Sequence, residues 1–329
     1  MTGATGSPRA VGAGLIVLAA ICFGTLGPLS RFAADGGVGS LALVTWRAAL
    51  GAACTILFIL GSLALGRRPL RSLRSLGARD RWSMLGAGVA NTVLNLAVFV
   101  AFGRISIALA LLVFYLYPAL VATASVAWFG DRLDPIRWAA LVTSLVGTVL
   151  VVAGAGSLGQ VDLIGVGLAF LAALAQAVYV LSARHGFANV PGPQAAATTM
   201  LLGAMFYVVG GLAFGQASAF AQPLASTAAL GPVLLAGFVG AGIPTVCFIT
   251  GIRLLGAPRA AILATLEPVV GVGLAALLLA ERPTLVQLAG GALIIAAGVM
   301  LQVRSPSDLA EHEALSEEAS TSPRIEASS

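Results

Sequence analysis

PRAAILATLEPVVGVGLAALLLAER, residues Pro258 to Arg282, decides how this chain is read. Between Arg259 and Glu281 only Thr265 and Glu267 interrupt the apolar run, and the stretch is long enough to cross a bilayer. Glu267 is the one acidic residue in the hydrophobic body of the protein. A carboxylate at that depth is costly unless it faces a cavity or a partner, so it is a functional candidate from the outset. Pro268 follows directly. It lacks an N–H and disfavours helix geometry at the residue before it, which loosens the backbone beside the carboxylate.

Outward from this stretch the chain is of the same kind. Of 329 residues, 59% are hydrophobic and 9% charged, and the mean hydropathy is +1.00, which excludes an ordinary soluble domain. All 18 basic residues are arginine and stand mostly at the ends of apolar runs. The net charge of +5 therefore reads as an orientation signal and not as nucleic-acid binding. Cys22, Cys54 and Cys247 stand alone inside apolar runs, so no disulfide framework, metal site or cofactor is implied. The first apolar run, Val11 to Leu29, lacks a clear small-residue cleavage site and reads as a retained helix, not a signal peptide.

About ten spans are expected: Val11 to Leu29, Leu41 to Leu65, Trp82 to Phe102, Ile105 to Phe129, Ile136 to Ala153, Leu163 to Ala183, Ala195 to Phe214, Gly231 to Ile252, Ala260 to Ala280 and Leu285 to Val303. One set of loops carries Arg9, Arg67, Arg68, Arg71, Arg74, Arg79, Arg81, Arg132, Arg137, Arg184, Arg253, Arg259 and Arg304. The other carries only Arg31, Arg104 and Arg282, which places both termini in the cytoplasm of a bacterial inner-membrane protein. The uncharged segment Gly215 to Leu230 then falls outside. Residues 1–10 form a short cytoplasmic start, and 304–329 an acidic tail with Asp308, Glu311, Glu313, Glu317, Glu318 and Glu326 that is expected to be disordered.

The chain also echoes itself. Tyr115-Leu116-Tyr117-Pro118 aligns with Thr265-Leu266-Glu267-Pro268, and the same offset sets Asp131-Arg132 on Glu281-Arg282. Five spans per half is an odd number, so the second half (162–303) must run opposite to the first (11–154). Inverted repeats with a site near the midplane are a design of secondary transporters.

Three stretches together, CFGTLGPLSRFAADGG leading to TWRAAL, ALALLVFYLYPALVATASVAWFGDRL, and RAAILATLEPVVGVGLAALLLAER, resemble the EamA-type transporters of the drug/metabolite transporter superfamily. The resemblance runs from about Leu15 to Val303. It implies an all-α polytopic fold, ten helices in two inverted five-helix repeats, a central cavity, and export of small metabolites or drugs by alternating access. In the family an aromatic residue or Trp often precedes the first glycine, where this chain has Phe23-Gly24. The first-half counterpart of Glu267 is Tyr117, so the halves need not share a role.

Each polar residue has a functional and an architectural reading. Glu267, with Ala260, Ala264, Gly271 and Ala275 on its helical face, either titrates during transport or ties a broken helix to its neighbour. Arg47 either snorkels to the outer interface or faces the cavity, where it attracts an anionic group or pairs with Glu267. Asn91 and Asn95 share a face, as do Gln176 and Tyr179, and both pairs either bond across helices or line a polar cavity. At helical spacing Tyr115 and Tyr117 point apart, so at most one faces the cavity. Pro118 and Pro268 are the expected hinges. Trp46, Trp82 and Trp128 read as interfacial anchors, and His185 as a solvated turn. Asp131-Arg132 and Glu281-Arg282 read as local ion pairs at helix ends.

GAGSLG at Gly154 to Gly159 matches a dinucleotide fingerprint in form, but it follows a membrane helix and is set aside. No nucleotide-binding motif supports ATP hydrolysis by this chain, and one lone Glu without an intramembrane His does not make a membrane enzyme. A secondary transporter leads, an exchanger or uniporter is the alternative, and a scaffold or enzyme is the remaining class. The expected partners are a small-molecule substrate and the lipid bilayer. Coupling to protons and assembly as a homodimer are left open.

Overall fold

The computed structural model describes residues 7–66, 70–72, 75–102, 104–105, 107–131, 133–154, 162–225, 227–278 and 282–301. Arg67, Arg68, Arg74, Arg132, Glu281, Arg304, the 155–161 loop and the acidic tail lie outside them.

All the described elements are helical. The first half comprises α1 (Pro8–Gly24), α2 (Leu26–Asp35), α3 (Ser40–Ala64), α4 (Ala78–Phe102), α5 (Ile107–Phe114), α6 (Tyr117–Phe129) and α7 (Pro135–Ala153). The second comprises α8 (Leu163–Leu181) with a π-helical turn over Ser182–Gly186, α9 (Gly192–Ala213), α10 (Gln222–Ala225), α11 (Thr227–Gly237), α12 (Ile243–Leu255), α13 (Ala257–Ala264), α14 (Leu266–Leu278) and α15 (Leu285–Met300). Nine spans among the described residues are long and apolar enough to cross a membrane, and α15 is a shorter apolar helix. The expectation of about ten helices is therefore close. One correction concerns Gly215 to Leu230, which is not a plain loop: a 3-10 turn (Ala217–Ala221), α10 and the start of α11 occupy it.

Proline chemistry explains why several spans are broken. Pro28, Pro118 and Pro268 stand just after interruptions at Thr25, Tyr115–Leu116 and Thr265, and Pro244 just after a π-helical turn over Phe238–Gly242. Each proline leaves the carbonyl one turn earlier without its helical donor. Where the interruption carries a threonine, its hydroxyl takes up a neighbouring carbonyl. Thr25 Oγ1 donates to Cys22 O and Thr265 Oγ1 to Ile262 O, each at 2.6 Å.

Helix pairing repeats across the two halves. α1 packs on α12 as α8 packs on α4, while α3 meets α9, α6 meets α13 and α7 meets α15. Exchanging the halves turns this set of contacts into itself, as two inverted repeats require. The α7–α15 pair depends on bare backbone: a Cβ on Gly290 would lie 2.5 Å from Gly147 O, and one on Gly147 would lie 2.7 Å from Gly290 O. Small residues let membrane helices approach this closely. Gly290→Ala is expected to cost about 1–3 kcal/mol, read as a lower Tm in detergent, whereas Gly273→Ala, where nothing lies within 4 Å, should leave Tm unchanged.

Asp162 fixes the start of α8. Its Oδ1 accepts from the Ile164 N–H at 2.9 Å, and its Oδ2 accepts from Arg104 Nε at 2.7 Å. First the Ile164 N–H and then Arg104 hold the carboxyl below the usual carboxylate range. A depressed folded-state pKa adds stability that is present above the unfolded value and lost as the pH falls through the folded one. Asp162→Ala should therefore lower Tm at pH 7, and the difference from wild type should shrink once the pH drops below about 4.

Candidate functional site

Three helix interruptions converge on Glu267. Thr265 ends α13, so Glu267 stands in the first turn of α14. The broken end of α1 packs against that turn: a Cβ on Gly24 would come 3.1 Å from Glu267 O and 2.7 Å from Val270 Cγ1. From the other side comes the Tyr115–Leu116 break. Because the chain leaves helical spacing there, Tyr115 and Tyr117 do not point apart. This corrects the expectation drawn from their spacing. Both rings are buried, their centroids are 6.3 Å apart, and both lie in the electrostatic field of Glu267. Phe114 packs on both rings, and Tyr117 Oη donates to Ala261 O at 3.5 Å. The same break removes Ala260 and Ala264 from the helical face of Glu267.

The cationic half of the site comes from α3. Arg47 is turned inward, where its Nη2 donates to Asn95 Oδ1 at 2.5 Å. Asn95 Nδ2 in turn donates to Asn91 O at 2.7 Å and Asn91 Oδ1 at 3.3 Å. Glu267 and Arg47 attract one another electrostatically. Tyr207 on α9, which the sequence did not single out, lies near Arg47 and donates its hydroxyl to Thr92 O at 3.3 Å. Nothing in its sequence context marks a tyrosine in an apolar helix as belonging to a site. Arg47, Asn91, Asn95 and Glu267 remain half-buried, whereas Thr92, Tyr115, Tyr117, Tyr207 and Thr265 are sealed.

Gln176 and Tyr179 are placed differently. Gln176 is half-buried on α8, and Tyr179 is buried against Thr199 of α9 in the field of Arg253. No described contact ties either to Glu267. Trp46 has a partner that its sequence context did not show: Nε1 donates to Phe220 O at 2.9 Å, in the 3-10 turn of the second half. Trp82 and Trp128 are exposed, as interfacial residues are. His185 is half-buried and not solvated. It stacks on Phe129 with centroids 4.0 Å apart and lies 3.8 Å from Asp131, which therefore meets α8. A separate, mostly apolar groove of about 480 Å³ opens between α3, α4 and α9, with Ser40, Thr92, Tyr207 and Gln216 as its polar residues.

Broken helices paired across two repeats around a half-buried acid and base are an arrangement suited to a membrane transporter. The chain belongs to the EamA-like transporter family, whose family model matches residues 10–153 and 163–303. It is 29% identical over 220 residues to the "Uncharacterized transporter sll1319" of Synechocystis sp., a match spanning 65% of this chain and 64% of that relative. The fold is also that of a solved crystal structure described only as that of a protein, with 24% identity, a TM-score of 0.72, and coverage of 88% of this chain and 95% of the other.

Proposed function

We propose that this is a secondary transporter of the bacterial inner membrane, with both termini cytoplasmic, that exports small metabolites, amino acids or drugs by alternating access and uses Glu267 as its proton carrier. The observation that carries the reading is the placement of Arg47 on the first repeat and Glu267 on the second, close enough for their charges to attract one another beside three helix breaks. A charge at this depth is costly without a partner. Protonating Glu267 removes the partner of Arg47 and leaves the guanidinium, held by Asn95, to an anionic group of the substrate. Losing that proton restores the pair and displaces the substrate. Pro118 and Pro268 supply the pliant points about which the repeats rock.

Purified protein in proteoliposomes tests this. Saturable flux that an imposed pH gradient drives uphill is expected. Flux that rises linearly with concentration and ignores the gradient would contradict it.

A further inference from the structure

At the end of the bundle read above as cytoplasmic, a cavity of about 320 Å³ lies apart from the Glu267 site. Its lining brings together Arg9 at the start of α1, Arg137 in the first turn of α7, Arg184 in the π-helical turn after α8 and Arg259 in the first turn of α13. Among the described residues Asp131 is the one carboxylate in the lining. Asp134 lies beside Arg137 at 3.5 Å, and His185 lies 3.8 Å from Asp131. Four guanidiniums converging from four helices concentrate positive charge, and the planar guanidinium group suits phosphate oxygens.

The backbone adds to this field. α1 and α7 have side-chain caps, Ser7 and Asp134, but α13 starts at Gly256 with no side-chain cap. Gly256, Pro258 and Arg259 of its first turn line the pocket. Helix N-termini favour anions. The turn is held open by Gly256 at φ 93° and ψ 153°, a conformation that is essentially restricted to glycine. Arg184 is held in place by a hydrogen bond to Arg253 O. Arg253 itself is committed to the carbonyls of Ala183, Phe187 and Val190, so this part of the wall is preformed.

We propose that this pocket binds a phosphate group, carried by the headgroup of an anionic phospholipid or by a soluble phosphorylated compound. The depth favours the lipid. Trp128 near the end of α6 and Trp138, beside Arg137 in α7, are exposed as residues of the interfacial belt are, and Leu133, Leu254 and Leu255 edge the pocket. Arg9 and Arg137 belong to the first repeat, Arg184 and Arg259 to the second, so a bound phosphate bridges the two.

The test is thermal stability of the full chain in a neutral, phosphate-free detergent, titrated separately with phosphatidylglycerol, phosphatidylcholine and inorganic pyrophosphate. A ligand that binds only the folded state raises Tm. Phosphatidylglycerol is expected to raise it and phosphatidylcholine not. Arg9→Gln and Arg184→Gln, both at exposed residues, should each raise the half-saturating concentration by about tenfold, whereas Arg81→Gln, exposed elsewhere on the same face, should not. A rise with pyrophosphate, weakened by the same two variants, supports the site with a soluble ligand. No response to either anionic probe, or equal weakening by Arg81→Gln, overturns it.

Discussion

Glu267→Gln is expected to abolish uphill, proton-driven transport in proteoliposomes while leaving substrate exchange intact. Glutamine keeps the shape and hydrogen-bonding reach of a protonated glutamate but cannot release the proton. The variant is thus fixed in the form that carries no charge at this position. Exchange needs only that the repeats rock with substrate bound, and the helix breaks that permit rocking do not depend on the charge. Tyr115, Tyr117 and Thr265 still enclose the position, so the protein should remain folded. Undiminished uphill transport by Glu267→Gln would remove the carboxylate from the coupling mechanism.

Arg47→Ala should weaken anionic or zwitterionic substrates by roughly tenfold to a hundredfold, the about 1.5–3 kcal/mol typical of a hydrogen bond to a charged group. Neutral substrates should be affected far less. The substitution also leaves Glu267 without its electrostatic partner and frees Asn95 Oδ1, so part of any loss reflects the site and not the substrate. Arg47→Lys separates the two effects, because lysine keeps the charge but not the planar fork. Unchanged affinity in Arg47→Ala would return Arg47 to an architectural role.

The fold was legible because a membrane span announces itself in composition alone, and because Pro118 and Pro268 fall in the middle of their apolar runs, where a proline signals a backbone break. Pro28 and Pro244 act by the same chemistry, yet GTLGPLS and AGIPTV read as uninterrupted span, since apolar runs hide where a helix is broken. The charged half of the site was legible too: an acid or base at that depth is conspicuous. What stayed hidden was facing. Hydrophobic periodicity vanishes when one side of a helix meets lipid and the other meets apolar neighbours, so Tyr207 could not be told from a packing residue. Tyr115 and Tyr117 misled for a different reason, because helical spacing does not apply across a broken turn. Trp46 and His185 looked like surface residues until their partners, Phe220, Phe129 and Asp131, came from distant segments. Asp80, buried at the start of α4 and accepting from Asn189 Nδ2 at 3.3 Å, likewise depends on a contact with the second half.

The most direct test of the Glu267–Arg47 site is a thermal-shift screen of the detergent-purified protein against amino acids, nucleobases, sugars and cationic drugs, repeated on Glu267→Gln and Arg47→Ala. The expected result is one chemical class that raises the Tm of the wild type, with the shift lost or sharply reduced in both variants. A class that stabilises all three proteins equally would place substrate binding elsewhere and contradict the assignment.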